Sequence, residues 1–323
     1  MRLYRGDDYL PSGRAIAELA VREEFWSNQD LSGYPQDHIE QLVITVPASS
    51  TVRAFAAIRH RVDERTTVCL IQDGLGVAEA LNEAYFPDPT SRPSYVLGHT
   101  THHIKPVRDS TFSMFEVKRG RIYLSALGHD LGHSQMSQMR CHPPVERWAR
   151  PGHMLSILTA TPELQAAGFN LEQFLDFKLP LMVFKCVVDP LTVTLDSTYE
   201  RLLNNNYAQQ MMDQLLGEII NVISRLPELR GSTKYNKLRG GGGLREAVHR
   251  QLDLKKNAES RMRALTRRGW ETDIDFLNGY FVKRARDVGV RCPANESIMW
   301  MVKARHEAQL AQRREEIEWD YDY

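Results

Sequence analysis

Three groups of residues in this sequence could do chemistry. His99, His102, His103, His129, His133 and His142 crowd one stretch of chain. Two imidazoles four apart on a helix can hold a metal ion, and His129 and His133 have that spacing. Gly128 and Gly132 argue against a helix there, and strand alternation sends His102 and His103 to opposite faces. The expectation is therefore ordinary loop and strand histidines, with no metal. The second group is cationic: Lys255, Lys256, Arg261, Arg263, Arg267 and Arg268 stand against Glu259 alone. As a helix this segment spreads charge around its circumference, as a solvated surface does, although Arg261 is expected to point toward the substrate cleft, where with Lys185 it could form an anion pocket for a nucleotide, a phosphometabolite or an RNA backbone. No RNA-binding motif accompanies it. The third group, Gly240–Gly243, lacks the GK[ST] ending of a phosphate loop and reads as a flexible connection.

The elements that must position these groups follow two periods. Gln41–Val46 and Thr67–Gln72 are short β-branched apolar runs, as strands buried on both faces are. Thr51–Val62 between them, and Val77, Leu81 and Tyr85 after them, repeat at helical spacing. Strand, helix, strand, helix predicts right-handed βαβ units and a parallel sheet. Tyr95–His99, Met114–Lys118 and Ile122–Ala126 read as further strands. Beyond Pro143-Pro144 and Pro151-Gly152 the pattern is helical, with an apolar stripe from Met212 to Leu226 and further helices over Asp275–Val288 and Glu296–Glu316. The break is placed at residue 145, giving an α/β half over 1–145 and an all-α half over 146–323.

The 323 residues carry 41 Lys+Arg and 41 Asp+Glu, so no global charge pulls the chain to nucleic acid or an anionic membrane. No apolar run reaches the about 18 residues of a membrane span. The N-terminus is charged where a signal peptide needs an apolar core. Cys69, Cys141, Cys186 and Cys292 lie far apart with no CxxC pair, as in a reducing compartment. The expected location is intracellular, in cytoplasm or mitochondrion.

Four segments are specific enough to point to a family. CVVDPLTVTLD (Cys186–Asp196) and TDIDFLNGYFVKRARDVGVRCPAN (Thr272–Asn295) closely resemble the helical domain of ketopantoate reductases, the fungal-type branch in particular. LIQDGLGVAEAL (Leu70–Leu81) and GHTTHH (Gly98–His103) resemble that family's nucleotide-binding half. The resemblance runs from about Leu42 to Arg305. It implies a Rossmann-like parallel sheet followed by a helical domain like that of 6-phosphogluconate dehydrogenase. The implied reaction is NADPH-dependent reduction of 2-dehydropantoate, with a lysine as general acid and Asn, Ser and Glu side chains orienting the substrate.

The family's working positions are altered here. No GxGxxG precedes Leu42, so the sheet is expected to lack its first strand and helix, with a gap where that strand would sit; a truncated gene model accounts for this, or a sheet rebuilt with the Gly13–Phe25 segment. Leu3-Tyr4-Arg5 resembles the end of the second strand, where an arginine meets the NADP 2′-phosphate. With Gly74 and Gly76, Arg5 is what remains of the expected cofactor contacts. The acid lysine falls on Leu181 and the asparagine one helical turn later on Lys185, which is the displaced candidate for the acid. Lys178 is a weaker candidate, because Pro180 disturbs the helix between it and the site. The second asparagine of that segment is Asp189, and the asparagine of the family's N-G-M-G is Asp73. The lysine after the preceding strand is Pro47. The substrate-clamp serine falls on Arg261, its glutamate on Asp273 and a nearby asparagine on Ala258; Ser260 matches a neighbouring position. Scaffold residues Pro190, Leu191, Thr192, Asn278, Gly279 and Asn295 all match.

Packing kept while chemistry changes is the mark of a pseudoenzyme. The expectation is thus a protein of this fold that has lost catalysis, carries no cofactor, and serves a binding or assembly role. Its partner would be a macromolecule or an anionic ligand, with a homodimer as a further option. The alternative is an active reductase that uses NADPH, with Lys185 as its acid.

Overall fold

The structure is a computed structural model describing residues 2–5, 38–106, 113–128, 145–230 and 243–319. Short strands begin at β1 (Arg2–Arg5) and β2 (Gln41–Ile44), followed by helix α1 (Ala48–Ala56), β3 (Thr67–Ile71) and α2 (Val77–Tyr85). Then come β4 (Ser94–Thr100), β5 (His103–Pro106), β6 (Ser113–Lys118) and β7 (Ile122–Ala126). β3 is buried along four of its five residues, as its β-branched run requires of a strand with helices on both faces. β2, β3 and β4 pair in parallel through the crossover helices, β7 adds antiparallel to β4, and β8 (Ala166–Gly168) adds parallel to β7.

The sheet order β2-β3-β4-β7-β8 is continuous, with no internal gap. Arg2–Arg5, expected as the end of the second strand of the nucleotide-binding sheet, does not join that sheet. It pairs in parallel with Ser113–Lys118, in a separate sheet of order β1-β6-β5. The free edge of the β5–β6 ribbon satisfies its backbone groups, which a gap in the main sheet would have left orphaned. Helix α3 (Val145–Thr159) and β8 both lie past residue 145. Met154, Leu155, Leu158 and Ala166 nonetheless pack on the sheet, against Cys69, Val96 and Leu124.

The helical half starts at α4 (Leu171–Thr194), capped by the Asn170 side chain accepting from Gln173 N–H. α4 is apolar around most of its circumference, so it runs through the centre of the half with the other helices around it. It continues through Pro180 and Pro190, so the expected break at Pro180 does not occur. Around it stand α5 (Tyr199–Leu203), α6 (Asn206–Ile223), α7 (Gly243–Leu254), α8 (Arg261–Arg267), α9 (Asn278–Asp287) and α10 (Pro293–Trp319). A buried amide network locks them. Asn278 donates to Cys186 O (2.9 Å) and to Asn295 Oδ1 (3.0 Å), and Asn295 donates to Leu215 O (3.1 Å) and Glu218 (2.9 Å). These two asparagines join α9, α4, α10 and α6, which accounts for their match to the family scaffold.

Candidate functional site

The β3–α2 loop, Gln72–Gly76, lies at the seam between the two halves. Gln72 anchors its start by donating from Nε2 to Val46 O (3.0 Å) and to the Thr51 hydroxyl. Gly76 ends it at φ +92°, a left-handed conformation that glycine takes without steric cost. Between them the halves interlock. Leu75 is buried in the helical core, while Phe276, from the turn before α9, packs into the core of the sheet half. Leu75 N–H donates to Phe276 O at 3.0 Å. Gly74 lies so close to this turn that a Cβ there would stand 2.5 Å from Phe276 O.

Charge completes the seam. Asp73 Oδ2 lies 2.5 Å from Lys185 Nζ, joining the loop to α4. Lys178, one face of α4 earlier, is wholly buried and donates to Gln72 O. Burial by itself would raise the Asp73 carboxyl, but Lys185, with Lys178 and Arg261 behind it, holds it well below the usual carboxylate range. Burial lowers the Lys178 ammonium to about 8, with Asp73 opposing. His99, buried at the end of β4, is brought down to about 3 by burial and by Lys178, and so stays neutral.

A second tier lies deeper in the helical half. Asp189 is buried and accepts from Tyr199 Oη at 2.6 Å; burial raises its carboxyl. Lys255 stacks its ammonium 4.9 Å from the Phe184 ring centroid, and burial and Lys185 lower it. Buried Ser260 caps α8, accepting from Arg263 N–H at 3.4 Å.

Of the residues singled out from sequence, Asp73, Gly74, Gly76 and Lys185 thus meet directly at the seam. Arg261 is exposed at the start of α8, and only its charge reaches Asp73. Asp273 accepts from Ser49 N–H at 2.9 Å, across the seam at the first turn of α1, where an anion is favourable. Asp189 stands one turn beyond Lys185 with Tyr199. Arg5 lies in the other sheet. Among the histidines, His102 has both ring nitrogens engaged, by Glu116 Oε1 (2.6 Å) and Leu164 O (3.0 Å). His129, His133, His142, Cys141 and Gly240–Gly242 lie outside the described residues. Tyr199, Gln72 and Phe276 carried no sequence signal beyond their place beside a motif. Lys178 was legible only as a lysine on the right helix.

The space enclosed by Gln72, Gly74, Gly98, Phe174 and Lys178 is about 10 Å³. That volume admits one water and no nicotinamide ring.

Residues 15–129 match the family model described as ketopantoate reductase PanE/ApbA, and residues 175–306 match the ketopantoate reductase PanE/ApbA C-terminal model. A probable 2-dehydropantoate 2-reductase from Schizosaccharomyces pombe is 22% identical over 275 residues, 83% of this chain and 74% of that protein. Cytochrome B translational activator CBS2 from Saccharomyces cerevisiae is 19% identical over 305 residues, 88% of this chain and 77% of that protein. The crystal structure of a PanE/ApbA-family ketopantoate reductase from Ralstonia eutropha JMP134 superposes with a TM-score of 0.60 at 14% identity, covering 85% of this chain and 78% of that one.

Proposed function

We propose that this chain, which belongs to the ketopantoate reductase family, has given up the reductase chemistry and uses the fold to bind a partner. The observation that carries this reading is the Asp73–Lys185 ion pair. The family resemblance implies an uncharged asparagine at each of those two positions and a lysine at Leu181. Here the loop and α4 satisfy each other's charges. The ammonium that could serve as a displaced acid is spent on a carboxylate 2.5 Å away. A general acid needs a proton aimed at the carbonyl oxygen of a substrate, within hydrogen-bond reach. Asp73 would also repel a keto acid approaching the same edge.

Three further observations support the reading. Leucine at 181 has no proton to give. Asp273, at the clamp position, is occupied by Ser49 N–H. A relative named as a cytochrome B translational activator, not as a reductase, supports a binding role for this fold. A macromolecular partner, in mitochondria or cytoplasm, is the proposal that follows.

The test is NADPH oxidation with 2-dehydropantoate, comparing the wild-type protein with Lys185→Ala. No turnover by either is the expected result. Turnover that Lys185→Ala abolishes would establish the active-reductase alternative instead.

A further inference from the structure

The cleft of about 440 Å³ between α2 and α9 is bridged by its own charges, with Lys283 Nζ 2.6 Å from Glu83 Oε1. Another charged contact, buried this time, involves neither Asp73 nor Lys185. His102, in the link between β4 and β5, is enclosed together with Glu116 of β6, and their side chains are 7% and 5% exposed. Glu116 Oε1 lies 2.6 Å from Nδ1 of the ring, and Leu164 O, in the turn before β8, lies 3.0 Å from Nε2. The backbone N–H of Gly120, between β6 and β7, also points at Nδ1, at 3.2 Å.

A carbonyl oxygen only accepts, so Nε2 carries a hydrogen. A carboxylate also only accepts, so contact at 2.6 Å needs one more hydrogen between Nδ1 and Oε1, whichever atom holds it. Without that proton two lone pairs face each other, with little water to screen them. The Gly120 amide is the donor that suits the bare Nδ1, and it is held in place by its neighbours. Thr101 N–H donates to Arg121 O (2.9 Å) and Arg121 N–H to Thr101 Oγ1 (2.8 Å). A Cβ on Gly120 would collide with the Thr101 and His102 backbone. Nδ1 thus has two partners that need opposite forms of the ring. The other charged and titratable residues on the segments around it are His103, Lys118, Arg119, Arg121 and Glu163, and Arg119 gives Nη2 to Pro162 O (3.3 Å).

We propose that His102 and Glu116 form a proton-dependent latch, which holds β6, and β1 paired to it, against the turn before β8. The closed form carries the shared proton. Closure is therefore favoured at low pH and weakens as pH rises, because the open form binds one proton fewer. On opening, the proton passes to solvent and Nδ1 accepts from Gly120 N–H. Nε2–H keeps Leu164 O, so β6 is released while the ring stays. The latch stands or falls independently of the lost reductase chemistry.

The experiment follows the His102 ring by imidazole nitrogen NMR, and the amide exchange of Ser113–Lys118, in the full chain from about pH 5 to about pH 9. The expected result is one titration of the ring. Exchange in β6, corrected for its intrinsic pH dependence, should be faster by at least about tenfold at the high-pH end. Glu116→Gln should abolish that dependence, because its side-chain amide donates to a neutral Nδ1 and no shared proton is needed. A ring that keeps one form across the range, or β6 exchange that does not follow its titration, would overturn the latch. So would a folded Glu116→Gln protein with the wild-type pH dependence. The wild-type measurements decide the matter even if that variant fails to fold.

Discussion

At the scale of single residues, the Asp73–Lys185 pair decides how the seam responds to substitution and to pH. Lys185→Met leaves a largely enclosed carboxylate without its cation. With side-chain exposures of 31% and 19%, the pair is partly screened, so the expected loss is about 1–2 kcal/mol in urea unfolding. The double variant Asp73→Asn, Lys185→Met should recover most of it, and a coupling energy near zero would refute the pairing. Because Asp73 titrates below its unfolded value, its contribution is complete above about pH 4 and fades as pH falls further.

Lys178 works with the opposite sign. Its folded value is about 8 against 10.5 for a free lysine, so the unfolded chain binds the extra proton between those limits. Stability should therefore rise with pH across that window, by on the order of 3 kcal/mol at most. Lys178→Met should flatten that rise, which chemical denaturation at pH 7.5 and pH 10 would reveal.

Among elements, the turn before α9 is the wedge that holds the β3–α2 loop against the helical half. Gly74→Ala places a methyl 2.5 Å from a backbone oxygen that cannot yield as a flexible side chain would. The expected cost is about 1–3 kcal/mol, as for other overpacked sites. Faster proteolysis between the halves should accompany it, and an unchanged unfolding midpoint would contradict the close approach. Asn278→Leu removes the link from α9 to α4 and α10, leaving Cys186 O and Asn295 Oδ1 unmet in the interior. About 2–4 kcal/mol should be lost there, since two buried acceptors are orphaned.

For the whole molecule, the interlock of Leu75 and Phe276 across the seam makes the two halves one packed body at that point. On the proposed function, this seam and the Asp73–Lys185 pair stay closed when a dinucleotide is offered. Calorimetric titration of NADPH into the folded chain should therefore give no saturable heat, and micromolar binding would reverse the proposed function. No helix among the described residues is long and apolar enough to cross a membrane.

The sequence by itself determined the order of strands and helices from Gln41 to Ala126 apart from β5, because β-branched runs and helical spacing are local signals and His103–Pro106 carries neither. It also determined the family, since the segments around Pro190-Leu191-Thr192, Asn278 and Asn295 carry a resemblance that the family models bear out. The altered identities at 73, 181, 185, 189, 261 and 273 were equally legible, as differences in chemistry need no coordinates.

Only the tertiary structure decided what those residues do. Lys185 meets Asp73 because α4 and the β3–α2 loop, 112 positions apart in the chain, converge at the seam. Asp273 serves Ser49 for the same reason, and Pro180 stays inside α4 because that helix is held by packing on all sides rather than by propensity. Arg2–Arg5 went to the β5–β6 ribbon because strand pairing is a non-local choice, set by which edge is free rather than by the strand's own residues. The cleft between α2 and α9 was invisible for that reason too, since its lining comes together only once two distant helix faces meet.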